Sequence, residues 1–326
     1  MSIDQPSGAG AVAITGAGGF IGSALTRLLT ASGHSVVGID RAPSAEGAVR
    51  AAGGEFALGD VTDPASVEAA LDGCDAVIHT AARIDDGSDM DEFVRVNVGG
   101  TANVLAAAKR AGIERVVHLS SVVVYGYSDT SEQDESAYMR TYGVPYLDTK
   151  TASERIARRA GAVVVRPGDV YGPGSVPWVI RPLGLARSRQ LAVPRSKTLM
   201  LPVYVEDLAS AIGLALERGE PGEAYTACND EAVPFAEYFQ RLIELAGAPK
   251  PIKAPIAVLS ALGTAMEKLD LALGRTPRLS GRAITFIARR GTASNKRARS
   301  ELGWRPRFDL EEGLRLTAEW ARAHGV

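Results

Sequence analysis

Short apolar runs alternate with apolar-periodic stretches along the first half of this 326-residue chain. Ala11 to Ile14 reads as a first strand. Phe20, Ile21, Leu25, Leu28 and Leu29 then recur at the three- and four-residue spacing of a helix. Ser35 to Ile39, Glu55 to Leu58, Asp75 to His79 and Arg115 to Leu119 read as further strands. Strand–helix units in series predict an α/β fold, a doubly wound parallel sheet with helices on both faces. Beyond Tyr171 the rhythm changes. Pro173, Pro177, Pro182 and Pro194, with Gly172, Gly174 and Gly184, break the chain into loops and short helices. Met200 to Val205 reads as a strand and Glu206 to Leu216 as a helix, and the chain from Phe235 onward reads as mostly helical.

The turn between the first strand and helix carries Gly16, Gly19 and Gly22, spaced G-x-x-G-x-x-G, with Phe20 and Ile21 inside it. The commoner G-x-G-x-x-G spacing would need glycine where Ile21 stands. Glycines without Cβ let the backbone turn sharply, and they let a pyrophosphate approach the free N–H groups at a helix N-terminus. A tight turn without a ligand is the alternative. Asp40, at the end of the second strand, is placed to accept hydrogen bonds from an adenosine ribose and to repel a 2′-phosphate, which favours NAD over NADP. Arg41 beside it could hold that phosphate, so NADP stays as the second choice. This predicts a loose tail over 1–10 and a Rossmann-like nucleotide-binding domain over 11–172, to which 201–228 returns. A smaller, mostly helical substrate-binding region takes 173–200 and 229–326.

Ten segments together resemble one family. They are TGAGGFIG (15–22), GID (38–40), GDVTD (59–63), VIHTAA (77–82), VNVGGTANVL (96–105), LSSVVVYG (119–126), YLDTK (146–150), RPGDVYGPG (166–174), VYVEDLA (203–209) and SELGWRP (300–306). In this order they resemble the extended short-chain dehydrogenase/reductases, the group of nucleotide-sugar epimerases and dehydratases, 3β-hydroxysteroid dehydrogenases and dihydroflavonol-type reductases. The resemblance implies that Asp60, Val61, Thr80, Ala81, Ala82, Asn97, Pro167, Gly168 and Val170 join the glycine turn, Asp40 and Arg41 in holding the cofactor.

The candidate chemistry lies in the middle of the series. Tyr146 and Lys150, four residues apart, share one face of a helix that Pro145 can start and Gly161 can end. An unperturbed phenol titrates near ~10, too high for efficient proton transfer at neutral pH, and a neighbouring ammonium favours the phenolate. An amphipathic surface pair is the bland alternative. Ser121 follows the strand Arg115 to Leu119, at the strand end where open α/β sheets bind ligands. By resemblance Ser121 orients and polarises a substrate oxygen, Tyr146 is general acid or base, and Lys150 holds the cofactor ribose as well.

Composition excludes several other classes. A net charge of −2 makes no case for nucleic acid, two cysteines make neither a disulfide framework nor a metal cluster, and four histidines are scattered. No uninterrupted apolar run reaches membrane-spanning length. The expectation is a cytoplasmic enzyme acting on a small molecule, without metal. A homodimer through helices in Met90 to Ala111 and Pro145 to Ala160 is implied by the resemblance alone.

Substrate class is divided. Leu199-Met200-Leu201-Pro202 is apolar where nucleotide-sugar relatives often carry an arginine for substrate phosphate. Leu259, Leu262, Met266, Leu269 and Leu273 form a helical stripe that fits core packing, the roof of an apolar pocket, or contact with a membrane surface. The stripe and the TPRLSG segment (276–281) are similar to the C-terminal layout of bacterial 3β-hydroxysteroid dehydrogenase-like proteins. These features favour interconversion of a secondary alcohol and a ketone on an apolar molecule. Against them stands a basic run: Arg275, Arg278, Arg282, Arg289, Arg290, Lys296, Arg297 and Arg299. It fits a solvated face, or an arginine reaching a nucleotide diphosphate in a sugar 4-epimerase or dehydratase. A non-catalytic dinucleotide-sensing regulator is the remaining reading, disfavoured because such proteins commonly lack the tyrosine–lysine pair.

Overall fold

Seven parallel strands form the central sheet: β1 (Ala11–Thr15), β2 (Val36–Asp40), β3 (Glu55–Leu58), β4 (Cys74–His79), β5 (Arg115–Leu119), β6 (Val163–Pro167) and β7 (Ala224–Ala227). Their spatial order is β7-β6-β5-β4-β1-β2-β3. The computed structural model describes residues 10–84, 89–126, 131–195, 198–273 and 289–326. The tail (1–10, apart from Gly10), the TPRLSG segment and Arg275, Arg278 and Arg282 therefore lie outside the described residues.

Alternate residues of each strand feed opposite faces, as the two-residue period requires. Val12, Ile14, Val117, Leu119, Val163 and Val165 pack on α1 (Phe20–Ala31) and on Leu208 and Ile212 of a later helix, Val205–Arg218. Ala13, Val77, Val116 and Val164 face α2 (Gly100–Arg110) and α3 (Pro145–Arg159). Strand β6 is buried along its whole length, the signature of a parallel strand covered on both faces. Burying a side chain such as Leu25 or Leu29 contributes roughly 1.5–3 kcal/mol relative to exposure.

Helix α3 opens on Pro145 in its first turn and closes where Gly161 takes φ +84°, a left-handed value that suits glycine. The strand expected over 200–205 is split. Leu199–Met200 pairs with Val233–Pro234, whereas Pro202–Tyr204 pairs with Asp169–Tyr171. The cause is Leu201, whose N–H goes to the Asp169 carboxylate (2.7 Å) and whose carbonyl accepts from Asp169 N. Val205–Arg218 is α4, and the C-terminal segment docks on it. Trp304 is buried and donates to Asp207 O (3.0 Å), while the Asp207 carboxylate accepts from Arg307 N and Phe308 N.

A second core joins Tyr171, Tyr204 and Met200 to α5 (Phe235–Leu245) and to Leu314 and Ala318 of a C-terminal helix, Leu310–Ala323. Between these two helices in the sequence comes α6 (Ile256–Ala272). Of its expected stripe only Leu259 is buried and Met266 is half-buried; Leu262, Leu269 and Leu273 are each more than half exposed. Core packing therefore accounts for one edge of the stripe and not for the rest.

Candidate active site

Because the strands are parallel, their C-terminal ends share one edge, and the order reverses at β1, between β4 and β2. This is the crevice where open α/β sheets take ligands. Gly16 follows β1 with φ +72°, and a Cβ there would lie 2.9 Å from Ala81 Cα, so β1 and the segment after β4 meet only across glycine. Thr80 Oγ1 donates to Thr15 O (2.7 Å) and Ala81 N to Thr15 Oγ1, which fixes Thr80 to Ala82 against this turn. A Cβ on Gly22 would stand 2.2 Å from Gly16 O, which closes the turn against any larger residue.

Gly19 caps α1 without a side-chain acceptor and is itself exposed, so the N–H groups of Phe20, Ile21 and Gly22 start the helix with no side-chain cap among the described residues. Such a cradle fits a pyrophosphate. Asp40, at the end of β2, accepts from Gly18 N (3.1 Å) and Ala42 N (3.0 Å), which sets its carboxylate beside the glycine turn. Arg41 is exposed. After β3, Asp60 accepts from Thr62 N and Oγ1 (2.8 and 2.9 Å); although burial raises its pKa, these bonds outweigh it and hold the carboxyl below its usual value. Val61 is buried and its carbonyl accepts from Asn103 Nδ2. At the end of β6, Pro167 is buried, Val170 is half-buried, and a Cβ on Gly168 would meet Leu201 O at 2.1 Å.

Ser121, Tyr146 and Lys150 come together at the end of β5. Ser121 caps a short 3₁₀ turn, Val122–Tyr125, accepting from Val123 N (3.3 Å), and its side chain is hydrogen-bonded to that of Tyr146. Lys150 is buried and donates to Leu119 O at 2.8 Å. Burial pulls its ammonium down to about 8, against the opposing pull of Glu154. Burial pushes the Tyr146 phenol up to about 12; the Ser121 bond lowers it and Asp169 raises it. Asn97, in a π-helical turn over Val94–Gly99, is a clamp: it accepts from Arg83 N (2.7 Å) and donates to Arg83 O and to Thr149 Oγ1 (3.1 Å each). It ties the chain after β4 to α3 one residue before Lys150.

Two buried networks escape the sequence pattern. Glu154, one helical turn beyond Lys150, accepts from Ser120 Oγ (2.5 Å) and from Arg166 Nε (3.0 and 3.1 Å), and Arg166 also donates to Tyr125 OH (3.0 Å). The 146–150–154 spacing was the available signal, since it places Glu154 on the active face. Arg289 donates to Asp169 Oδ2 at 2.7 Å, and both side chains are buried. Arg289 is thus neither solvated nor free for a diphosphate. Further along the run Lys296, Arg297 and Arg299 pair with Glu132, with Glu223 and Glu301, and with Asp230. A narrow cavity beside this centre is lined by Val122, Tyr125, Leu201, Arg289 and Thr292. No cluster of metal-ligating side chains occurs among the described residues.

Fold and site together define a Rossmann-type dinucleotide-binding protein with a serine–tyrosine–lysine centre. Residues 12–228 match the model of the NAD dependent epimerase/dehydratase family, and the chain belongs to that family. It is an NAD-dependent enzyme of the extended short-chain dehydrogenase/reductase type. It is 32% identical, over 93% of its length and 97% of the relative's, to the 2-alkyl-3-oxoalkanoate reductase of Stenotrophomonas maltophilia (strain K279a). It is 31% identical to the 3 beta-hydroxysteroid dehydrogenase/Delta 5-->4-isomerase of Mycobacterium tuberculosis (strain ATCC 25618 / H37Rv), over 94% and 88%. Among solved structures it resembles MoeE5 in complex with UDP-glucose and NAD, with a TM-score of 0.76 and 28% identity over 97% and 100% of the two chains.

Proposed function

We propose that the enzyme interconverts a secondary alcohol and a ketone on a predominantly apolar substrate. The observation that carries this reading is the absence of free charge in the small cavity next to Ser121: its one lining cation, Arg289, is neutralised by Asp169, and Val122, Tyr125, Gln133, Leu201 and Thr292 beside it are uncharged. A diphosphate would need unpaired positive charge there. The 2-alkyl-3-oxoalkanoate and 3β-hydroxysteroid relatives, whose names describe ketone or alcohol chemistry on apolar skeletons, support it.

The glycine turn, Asp40, Asp60, Val61, Thr80 to Ala82, Asn97 and Pro167 to Val170 would hold NAD, which when bound accepts or supplies a hydride. Ser121 donates a hydrogen bond to the substrate oxygen. Tyr146 takes the proton from that oxygen during oxidation and returns it during reduction. Lys150, fixed by Leu119 O, keeps positive charge beside the phenol and holds the ribose. Asp40 makes NAD the preferred dinucleotide over NADP. The protein works as a homodimer in the cytoplasm in this reading.

A nucleotide-sugar reading is favoured by the likeness to MoeE5 with UDP-glucose and NAD. One experiment separates the two. Purified enzyme with NAD is given apolar secondary alcohols, steroids and 3-hydroxy acids among them, and NADH formation is followed; UDP, dTDP and GDP are titrated in parallel. Turnover with no nucleotide binding supports the alcohol–ketone reading. Tight nucleotide binding with no net NADH formation replaces it by an epimerase or dehydratase.

A further inference from the structure

Three successive residues at the end of β5 are gripped by three successive turns of α3. Leu119 O accepts from Lys150 Nζ (2.8 Å), Ser120 Oγ donates to Glu154 Oε2 (2.5 Å), and Ser121 is hydrogen-bonded to Tyr146. The 146–150–154 spacing puts the three helix side chains on one face. Tyr146 and Lys150 have roles in the proposed reaction, and Glu154 has none. It is nevertheless fully buried, and so is its partner on β6, Arg166. Arg166 donates from Nε to both carboxylate oxygens (3.0 and 3.1 Å) and from Nη2 to one of them (2.5 Å). Tyr125 OH accepts from Arg166 Nη1 (3.0 Å) and shares a hydrogen bond with Thr226 Oγ1 (2.7 Å). The carboxylate is thus held in one place from α3, β5 and β6.

The buried charges here do not cancel. Lys150 and Arg166 are cations, and Glu154 is the anion they share, which leaves one positive charge for a Tyr146 phenolate to meet. The other titratable groups facing Lys150 are His79 on β4 and His118 on β5, both kept neutral by burial. Asp169 acts on Tyr146 and is paired with Arg289. Without Glu154, two cations would remain buried together. Arginine does not shed its proton, so Lys150 is the group that would discharge. Burial already brings Lys150 down to about 8, and Glu154 is the charge that opposes it. We propose that Glu154 is a positioning residue of the reaction, the counter-charge that lets Lys150 serve as a buried ammonium beside Tyr146. The inference rests on the reading of Tyr146 as the proton carrier.

The test follows Lys150 itself, by carbon NMR of the NAD-saturated protein labelled with [ε-13C]lysine, its signal assigned by its absence in Lys150→Met. Glu154→Gln should lower the Lys150 titration midpoint by about 1–3 pH units. The sign decides. A carboxylate that only braces the fold would, once replaced, admit water and raise Lys150 toward the ordinary ~10.4. A midpoint that stays fixed or rises overturns the proposal. A second measurement leaves Glu154 intact, so it stands even where the variant fails to fold. In the parent, a glutamate carboxyl signal should step at the Lys150 midpoint and lose that step in Lys150→Met; absence of the step also refutes the proposal. The kinetic consequence is read with a steroid alcohol or 3-hydroxy acid that the parent oxidises. The alkaline limb of kcat/KM should move to lower pH in Glu154→Gln, and Glu154→Asp, which keeps the charge, should restore most of the shift. A limb that does not move denies Glu154 its part in the reaction. Full turnover by Tyr146→Phe would instead sink the catalytic reading, with the Lys150 midpoint still read by NMR.

Discussion

In the proposed mechanism Tyr146 exchanges a proton near neutral pH, yet burial pushes its phenol up to about 12, and Asp169 adds to that rise. The Ser121 hydrogen bond opposes both, and positive charge from Lys150 and from the oxidised cofactor has to complete the shift. Tyr146→Phe removes the exchangeable proton and should lower kcat by about 10²–10⁴, with NAD affinity changed only a few-fold in a calorimetric titration. Asp169 supplies a second, directional check. In alcohol oxidation the phenolate is the active form, so activity rises with pH along an acid limb. Removing the Asp169 charge stabilises the phenolate, and Asp169→Asn should move that limb of the kcat/KM profile to lower pH. A limb that stays fixed or moves up would mean that Asp169 does not act on Tyr146.

At the scale of elements, α3 and β6 are locked by a pair of charges that are both fully buried, Glu154 and Arg166. Removing one partner leaves the other uncompensated, whereas replacing both by apolar residues of similar volume often costs little. Glu154→Met should therefore destabilise the protein by about 3–5 kcal/mol in urea unfolding, and Glu154→Met with Arg166→Met by clearly less. Additive losses would show that the pair is not coupled. The same contrast explains which parts of the molecule are legible in sequence. The strand–helix alternation, the glycine turn and the Tyr146–Lys150 spacing depend on neighbours within a few residues, where period and Cβ sterics act. Asp169 and Arg289 are 120 residues apart, and Asn97 and Thr149 are 52 apart. No local period relates such partners. Arg289 therefore reads as one member of a basic run until the fold buries it. Apolar spacing alone gives the stripe on α6 but not the direction it faces.

Over the whole molecule, the sheet's centre carries two histidines that the fold keeps neutral. His79 and His118 are opposite each other on β4 and β5, both about 2% exposed, with ring centroids 5.5 Å apart. Thr101 gives its one hydroxyl proton to Asn97 O (2.6 Å), so it accepts from His79 Nε2–H, and His79 Nδ1 accepts from Thr15. Burial, with Lys150 nearby, drops His79 to about 3 and His118 well below its ordinary value. A folded-state pKa below the unfolded value of about 6.5 means that the unfolded chain binds the proton first as pH falls. The His79 contribution is then complete above about pH 6.5 and is lost on acidification toward 3, by up to ~1.4 kcal/mol per pH unit, and that of His118 is lost in the same direction. His118 tests this most cleanly, because neither ring nitrogen has a hydrogen-bond partner among the described residues. His118→Leu discards two desolvated polar atoms together with the titration. It should leave stability at pH 7.5 equal or higher and flatten the decline below pH 6.5, by at most one proton. The readout is the slope of unfolding free energy against pH from urea denaturation. An unchanged slope would mean that His118 takes up its proton in the folded state, and that the sheet opens to water at that point.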